Sequence, residues 1–264
     1  VAAFIFSFLG ARALSHIDAD LLKPLILVLL VLVAIYTFIK KDFGSLHAPK
    51  LTDAKEKLYG LLIGAAIAIL GQFMGVNAVL YYGPTIFEQS GLSGGDALFY
   101  QVLVGAVNAV TTILALFIID RVGRKTLVYY GVSGMILTLI LIAGFFHYGE
   151  QLQLSNVWLL VFFLSYIFFT AGSISAVIFV LLSEMFPTKI RGRAMSIAGF
   201  SLWVGTFLIG QLTPWFLQNL TPEGTFLLFA VMCFPYMYII WKFVPETAGK
   251  SLEDIERHWL QKKW

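Results

Sequence analysis

This 264-residue chain is poor in cysteine, histidine and charge, and each shortage excludes a class of chemistry. Its single cysteine, Cys233, lies alone in an apolar run, so neither a disulfide framework nor a cysteine metal site can form. His16, His47, His147 and His258 are dispersed near segment ends, where solvated or interfacial positions suit them, and no metal is assigned. There is no nucleophile paired with a base, no metal-ligand spacing and no phosphate-cradling loop, which argues against an enzyme. No cofactor is expected, and nucleic acid is not an expected partner. No basic region precedes the first apolar run, and Val1 stands where an initiator methionine would. The opening VAAFIFSFLGARAL therefore reads as the tail of an earlier span rather than a signal peptide, and the chain as a fragment.

Charged residues make up 12% of the chain, against about 25% in an ordinary soluble domain. Hydrophobic residues are 59% and the mean hydropathy is +0.86. A bilayer span needs about 20 mostly apolar residues, and seven such runs are present: Leu21 to Ile39, Leu58 to Tyr82, Ala97 to Ile119, Leu127 to Tyr148, Val157 to Leu182, Ala194 to Leu217 and Thr225 to Phe243. Helices satisfy their own backbone in lipid, so an all-α membrane bundle is expected.

Lys and Arg fall in alternate connections, at Lys40 to Lys57, Arg121 to Lys125, Lys189 to Arg193 and the tail. The loops Gly83 to Asp96, Gly149 to Asn156 and Gln218 to Gly224 have none. The positive-inside rule then predicts that the basic loops and the C-terminus are cytoplasmic, in what reads as the cell (inner) membrane. Trp158, Trp215 and Trp241 sit near span ends, as an aromatic belt requires.

The polar stretch KKDFGSLHAPKLTDAKEK, Lys40 to Lys57, is the one internal boundary. It divides a leading segment, residues 1–57, from a six-span domain, 58–250. No short repeat is visible, which excludes a solenoid, although a three-plus-three inverted repeat is compatible with the pattern. From Ser251 the tail SLEDIERHWLQKKW spaces Leu252, Ile255 and Trp259 as one apolar helical face. It predicts an amphipathic helix against the inner face, residues 251–264.

Four motifs occur in order: GQFMGVNAVLYYGP at Gly71 to Pro84, DRVGRK at Asp120 to Lys125, SEMFPTKIRGRA at Ser183 to Ala194 and PETAGKSLEDIE at Pro245 to Glu256. Together they resemble the C-terminal half of the sugar porter family of the major facilitator superfamily. That family contains proton-coupled xylose symporters and facilitative glucose carriers. The resemblance covers about Leu58 to Trp259 and implies a major-facilitator-like six-helix half-carrier. It also implies transport of a sugar or similar small polar solute by alternating access. A complete carrier has twelve spans, so a missing N-terminal half-carrier is the implied partner beside the solute and the lipid bilayer. In coupled members the protonatable carboxylate lies in that half.

Polar residues inside spans are expensive and mark function by default. Asn77 and Tyr81, four apart, share a helix face, whereas Gln72 lies about 140° from Asn77 on an ideal helix. A straight helix cannot aim both at one ligand. Gly71, Gly75 and Gly83-Pro84 are the expected places of local unwinding, as in the discontinuous helices of transporters. Resemblance carries Gln72, Asn77 and Tyr81 over as sugar-hydroxyl contacts or outer-gate elements, and Asn108 as a further site asparagine. An interhelical hydrogen bond is the alternative reading for Asn108.

At the basic ends, Asp120, Arg121, Arg124, Glu184, Arg191, Arg193 and Glu246 match the family's cytoplasmic gate network. Glu184 and Glu246 are the expected partners of Arg124, Arg191 and Arg193. The alternative is that these cations only fix topology.

The chain also departs from the family. Gly71 replaces the first of two adjacent glutamines, Ala176 and Phe179 stand where GPxxW has proline and tryptophan, and Leu202 replaces the glutamine before Trp203. Each lost amide removes a partner that a polyhydroxyl ligand would use, worth about 1–3 kcal/mol in a dry site. Phe179 and Trp203 remain able to stack on an apolar sugar face or to pack between helices. Residues 1–57 carry no sugar-porter motif, and their GAR followed by a Leu/Val span resembles a sulfite exporter-type permease. A chimera, or a membrane module that binds without transporting, is thus a further reading.

Overall fold

The chain was analysed as a computed structural model, which divides into two units, residues 1–48 and 49–264. In the first, the structure describes Val28 and Leu32, both helical and exposed; in the second, residues 54–186, 191–244 and 246–247. The rest of the Leu21 to Ile39 span, the tail helix from Ser251, and His16, His47 and His258 lie outside the described residues.

Eight helices are described: α1 (Ala54–Phe73), α2 (Val76–Gln89), α3 (Gly94–Val122), α4 (Arg124–Tyr148), α5 (Asn156–Gly172), α6 (Ile174–Met185), α7 (Arg191–Asn219) and α8 (Thr221–Phe243). They form six stretches long and apolar enough to cross a membrane, two of them, Gly60–Gln89 and Asn156–Met185, made of two helices each. The order and number are those expected after residue 57. The chain is an all-α, multi-pass integral membrane protein, because only helices of this length leave no backbone polar group facing lipid.

The first break lies at Met74 and Gly75. Gly75 adopts φ +95°, and a Cβ there would run into the Phe229 ring on α8. Glycine is thus required twice, for the left-handed backbone and for close approach. Gly71, the other glycine expected to unwind, remains inside α1. The second break, at Ser173 between α5 and α6, has no signal that sequence periodicity registers. There Gly131 on α4 leaves room for the Ser173 side chain.

Gly83-Pro84 is another expected place of local unwinding, but α2 runs through both to Gln89. The reason is a neighbour. Proline has no N–H, so the carbonyl four residues back, Leu80, loses its helical donor. The side-chain amide of Gln101 on α3 supplies one, Nε2 donating to Leu80 O at 2.9 Å. Gly83 makes the space, since a Cβ there would overlap the Gln101 amide. Lipid offers no donor, so without Gln101 this helix would carry a bare carbonyl at depth.

The bundle packs α1 along α7, α4 along α8 and α5. Its centre is an aromatic ladder. Phe87 on α2 meets Phe163 on α5 at 5.0 Å, Phe163 meets Phe226 on α8 at 5.4 Å, and Phe226 meets Phe229 at 6.0 Å, all edge to face. Such pairs contribute about 0.5–1.5 kcal/mol each beyond buried area. The ladder ties α2, the second half of the first broken span, to α5.

Candidate solute cavity

The two broken spans, with α3 and α7, line an open cavity of about 330 Å³. All six residues expected as ligand contacts line it: Gln72 and Asn77 at the break, Tyr81 one turn further along α2, Asn108 on α3, Phe179 on α6 and Trp203 on α7. The break at Gly75 solves the 140° problem. It turns α2 so that Asn77 Nδ2 donates to Gln72 Oε1 at 2.6 Å. The two amides of one broken helix then present their remaining donors and acceptors together, which a straight helix would not allow.

Sequence reasoning missed three polar members of the wall, Thr112, Ser175 and Thr206. The Thr206 hydroxyl lies 3.1 Å from Gln72 Oε1 and 3.0 Å from the Leu202 carbonyl, either of which it can donate to. Thr112 donates to the Asn108 carbonyl at 2.7 Å. The signal that would have found them is helical spacing: Thr112 follows Asn108 by four, and Ser175 precedes Phe179 by four. Gly205 lets α7 approach closely, because a Cβ there would press on the Gln72 side chain at 3.2 Å.

The two positions where the family has a glutamine, Gly71 and Leu202, also line the cavity, and Leu202 is nearly buried. Where an amide would have pointed, the wall is apolar. Trp203 and Phe179, by contrast, are 68% and 51% exposed and project as open ring faces. The wall thus combines amides, hydroxyls and two flat rings, a chemistry that suits a ligand with both hydroxyl groups and apolar faces.

At the basic end the expected charge network forms in part. Arg124 Nη2 pairs with Glu184 Oε1 at 3.0 Å, with only 12% and 22% of the two side chains exposed. Thr247 Oγ1 donates to the other Glu184 oxygen. The Glu246 carboxylate sits on the N-terminus of α4, accepting from the backbone N–H of Arg124 and of Lys125, each at 3.1 Å. A carboxylate there satisfies orphan donors and complements the helix dipole. Gly123, at φ +92°, brings those N–H groups within reach.

Arg191 does not pair with a carboxylate among the described residues; its Nε and Nη2 each lie 3.3 Å from the Phe186 carbonyl, which they cap. Arg121 and Arg193 are exposed at the same end. The Asp120 side chain lies outside the described residues. Among the described residues no three His, Cys, Asp or Glu side chains come together as a metal site.

Comparison with known proteins places this geometry. A profile described as "Sugar (and other) transporter" matches residues 3–259, and so takes in the leading segment that carries no sugar-porter motif. The glucose transporter GlcP of Staphylococcus epidermidis is 36% identical over 220 residues, 82% of this chain and 49% of GlcP. The D-xylose-proton symporter of Escherichia coli is 33% identical over 226 residues, 81% of this chain and 45% of the symporter. A solved structure of the proton:xylose symporter XylE bound to 6-bromo-6-deoxy-D-glucose superposes with a TM-score of 0.67 at 33% identity, covering 79% of this chain and 45% of that one. The chain spans about half the length of the curated relatives it matches.

Proposed function

We propose, for a chain that belongs to the Sugar (and other) transporter family, that it supplies one wall of the path by which a sugar or similar small polar solute crosses a membrane by alternating access. The observation that carries this reading is the cavity of about 330 Å³ between the two broken spans, where Gln72, Asn77, Tyr81, Asn108, Phe179 and Trp203 converge. Discontinuous helices at a polar site near mid-membrane are how many carriers hold a solute.

In this reading residues 58–250 form a transporter half-domain whose basic end and C-terminus face the cytoplasm, in the cell (inner) membrane. The opposing wall comes from an N-terminal half-carrier. The half-buried Arg124–Glu184 pair, with Thr247 and Glu246, closes the cytoplasmic side in one of two states. Such a pair need shift the balance by only a few kcal/mol, which is what two-state carriers require.

The test is binding of labelled D-glucose and D-xylose to the purified full chain, followed by uptake into proteoliposomes when an N-terminal half-carrier is co-reconstituted. Saturable binding that weakens in Asn77→Ala supports the reading. Absence of binding of either sugar, with the protein folded, overturns it.

A further inference from the structure

Beyond the cavity wall, the buried hydroxyl of Tyr166 has no role in the reading above. Tyr166 is fully buried in the middle of α5, and its hydroxyl donates to the Met74 carbonyl at 2.7 Å. Met74 is itself fully buried and sits in the break between α1 and α2. The backbone around it is accounted for: Gly75 N–H donates to Gln72 O at 3.2 Å and Val79 N–H to Gly75 O at 3.0 Å. The turn at Gly75 takes the Met74 carbonyl out of both helical ladders, and a buried carbonyl requires a donor. Tyr166 provides it from a different span.

We infer that Tyr166 is a positioning residue for the cavity, a pivot that fixes the angle at which α2 leaves the Gly75 break and so holds Asn77 against Gln72. This deepens the proposed function and rests on it for its meaning in transport. α5 meets α2 at two levels. The Phe87 ring packs on Phe163 near one end of α2, and the Met74 carbonyl is held by Tyr166 at the other. Phe163 and Tyr166 are three apart and share one face of α5. A swing of α2 about the Met74 contact breaks the apolar Phe87–Phe163 one while keeping the directional hydrogen bond. That division of labour suits a hinge, since ring packing slides at modest cost whereas a buried carbonyl tolerates no loss of its donor.

The wall also shows what the pivot controls. Asn77 is the third residue after Met74, and its bond to Gln72 spans the break directly. On the other side of the turn, the Phe229 ring occupies the space where a Gly75 Cβ would lie, so the hinge cannot relax toward α8. The direction left to α2 is set by α5, through Tyr166.

Hydrogen exchange on the full chain, comparing wild type, Tyr166→Phe and Ser165→Ala, tests this. Phenylalanine keeps the ring and its packing, and Ser165→Ala removes a hydroxyl from the same helix that donates to the Val161 carbonyl of its own turn. Exchange across residues 74–82 is expected to rise about tenfold in Tyr166→Phe, the scale of one lost hydrogen bond to a buried carbonyl. Residues 74–82 in Ser165→Ala, and the α4 and α8 amides in both variants, are expected to stay at wild-type rates. In parallel, affinity for D-glucose or D-xylose is expected to fall several-fold in Tyr166→Phe, although neither Gln72 nor Asn77 is touched. Unchanged exchange at 74–82, or an increase spread evenly over the bundle, overturns the pivot whether or not either sugar binds. Failure of the wild type to bind either sugar overturns the functional reading alone, because the exchange measurement needs no ligand.

Discussion

Tyr82 on α2 donates its hydroxyl to the Gly210 carbonyl on α7 at 2.7 Å, and that carbonyl is free because Pro214, four residues on, brings no N–H. The same arrangement recurs where Gln101 serves the Leu80 carbonyl that Pro84 leaves open. Two prolines that local rules treat as helix breakers are thus absorbed by side chains from neighbouring spans.

Tyr82→Phe should lower the thermal unfolding temperature in detergent, by the equivalent of about 1 kcal/mol for a half-buried carbonyl left without its donor. Pro214→Ala restores the helical N–H. The double variant should therefore lose less than the sum of the two single losses, and strict additivity would show that the Tyr82 bond does not serve the proline gap.

Gly75→Ala places a side chain at φ +95° and against the Phe229 ring. Strain of this kind costs about 1–3 kcal/mol, and the ring contact adds to it. Folded yield should drop, and any protein recovered should bind sugar more weakly, because the turn that brings Asn77 to Gln72 is lost. Wild-type unfolding temperature in this variant would refute the close approach.

At the basic end, Glu246→Gln keeps one acceptor for the α4 N-terminus and removes the charge. A loss of about 0.5–1 kcal/mol is expected, the scale of a carboxylate at a helix N-terminus, and added salt should shrink the difference from wild type. Glu184→Gln should cost more, about 1–3 kcal/mol, because it removes the negative charge 3.0 Å from the mostly buried Arg124 guanidinium. Chemical unfolding of both variants in one detergent ranks them; the reverse order would overturn this account.

For the cavity, Asn77→Ala removes an amide that both braces Gln72 and offers bonds to a ligand. Sugar binding should weaken about 3- to 10-fold, the equivalent of one net hydrogen bond. Leu202→Gln is the converse experiment. It returns an amide to a cavity position where this chain has an apolar side chain, and should raise D-xylose affinity relative to D-glucose. Equal affinities for both sugars before and after would show that position 202 does not face the ligand.

Gln72, Asn77, Tyr81 and Asn108 were legible because polar side chains in apolar spans stand out against their background, and Phe179 and Trp203 only through the resemblance to the family's motifs. Thr112, Ser175 and Thr206 were not, since a threonine or serine bonding its own helix is ordinary in a span, as Thr112 does with Asn108. The charge network was legible as a set of residue types but not as a set of pairs. The Glu246 carboxylate accepts from the backbone N–H groups of Arg124 and Lys125, a partner that residue types alone do not reveal, because an orphaned helix N-terminus competes for the same carboxylate. Arg191, for its part, found a carbonyl at Phe186.

The sequence by itself determined the all-α membrane architecture, the number and order of spans after residue 57, and the residues from which a site could be built. Those follow from local physics: a bilayer requires about 20 apolar residues per span and an internally satisfied backbone. Tertiary structure decided where the spans break. Gly83-Pro84 carries the stronger local breaking signal, yet α2 passes through it because Gln101 supplies the missing donor. The chain turns instead at Gly75, where Phe229 leaves room only for glycine and Tyr166 satisfies the carbonyl beside it. In lipid, a helix can break only where a neighbouring span provides a partner for the exposed backbone, and no reading of one span alone contains its neighbour.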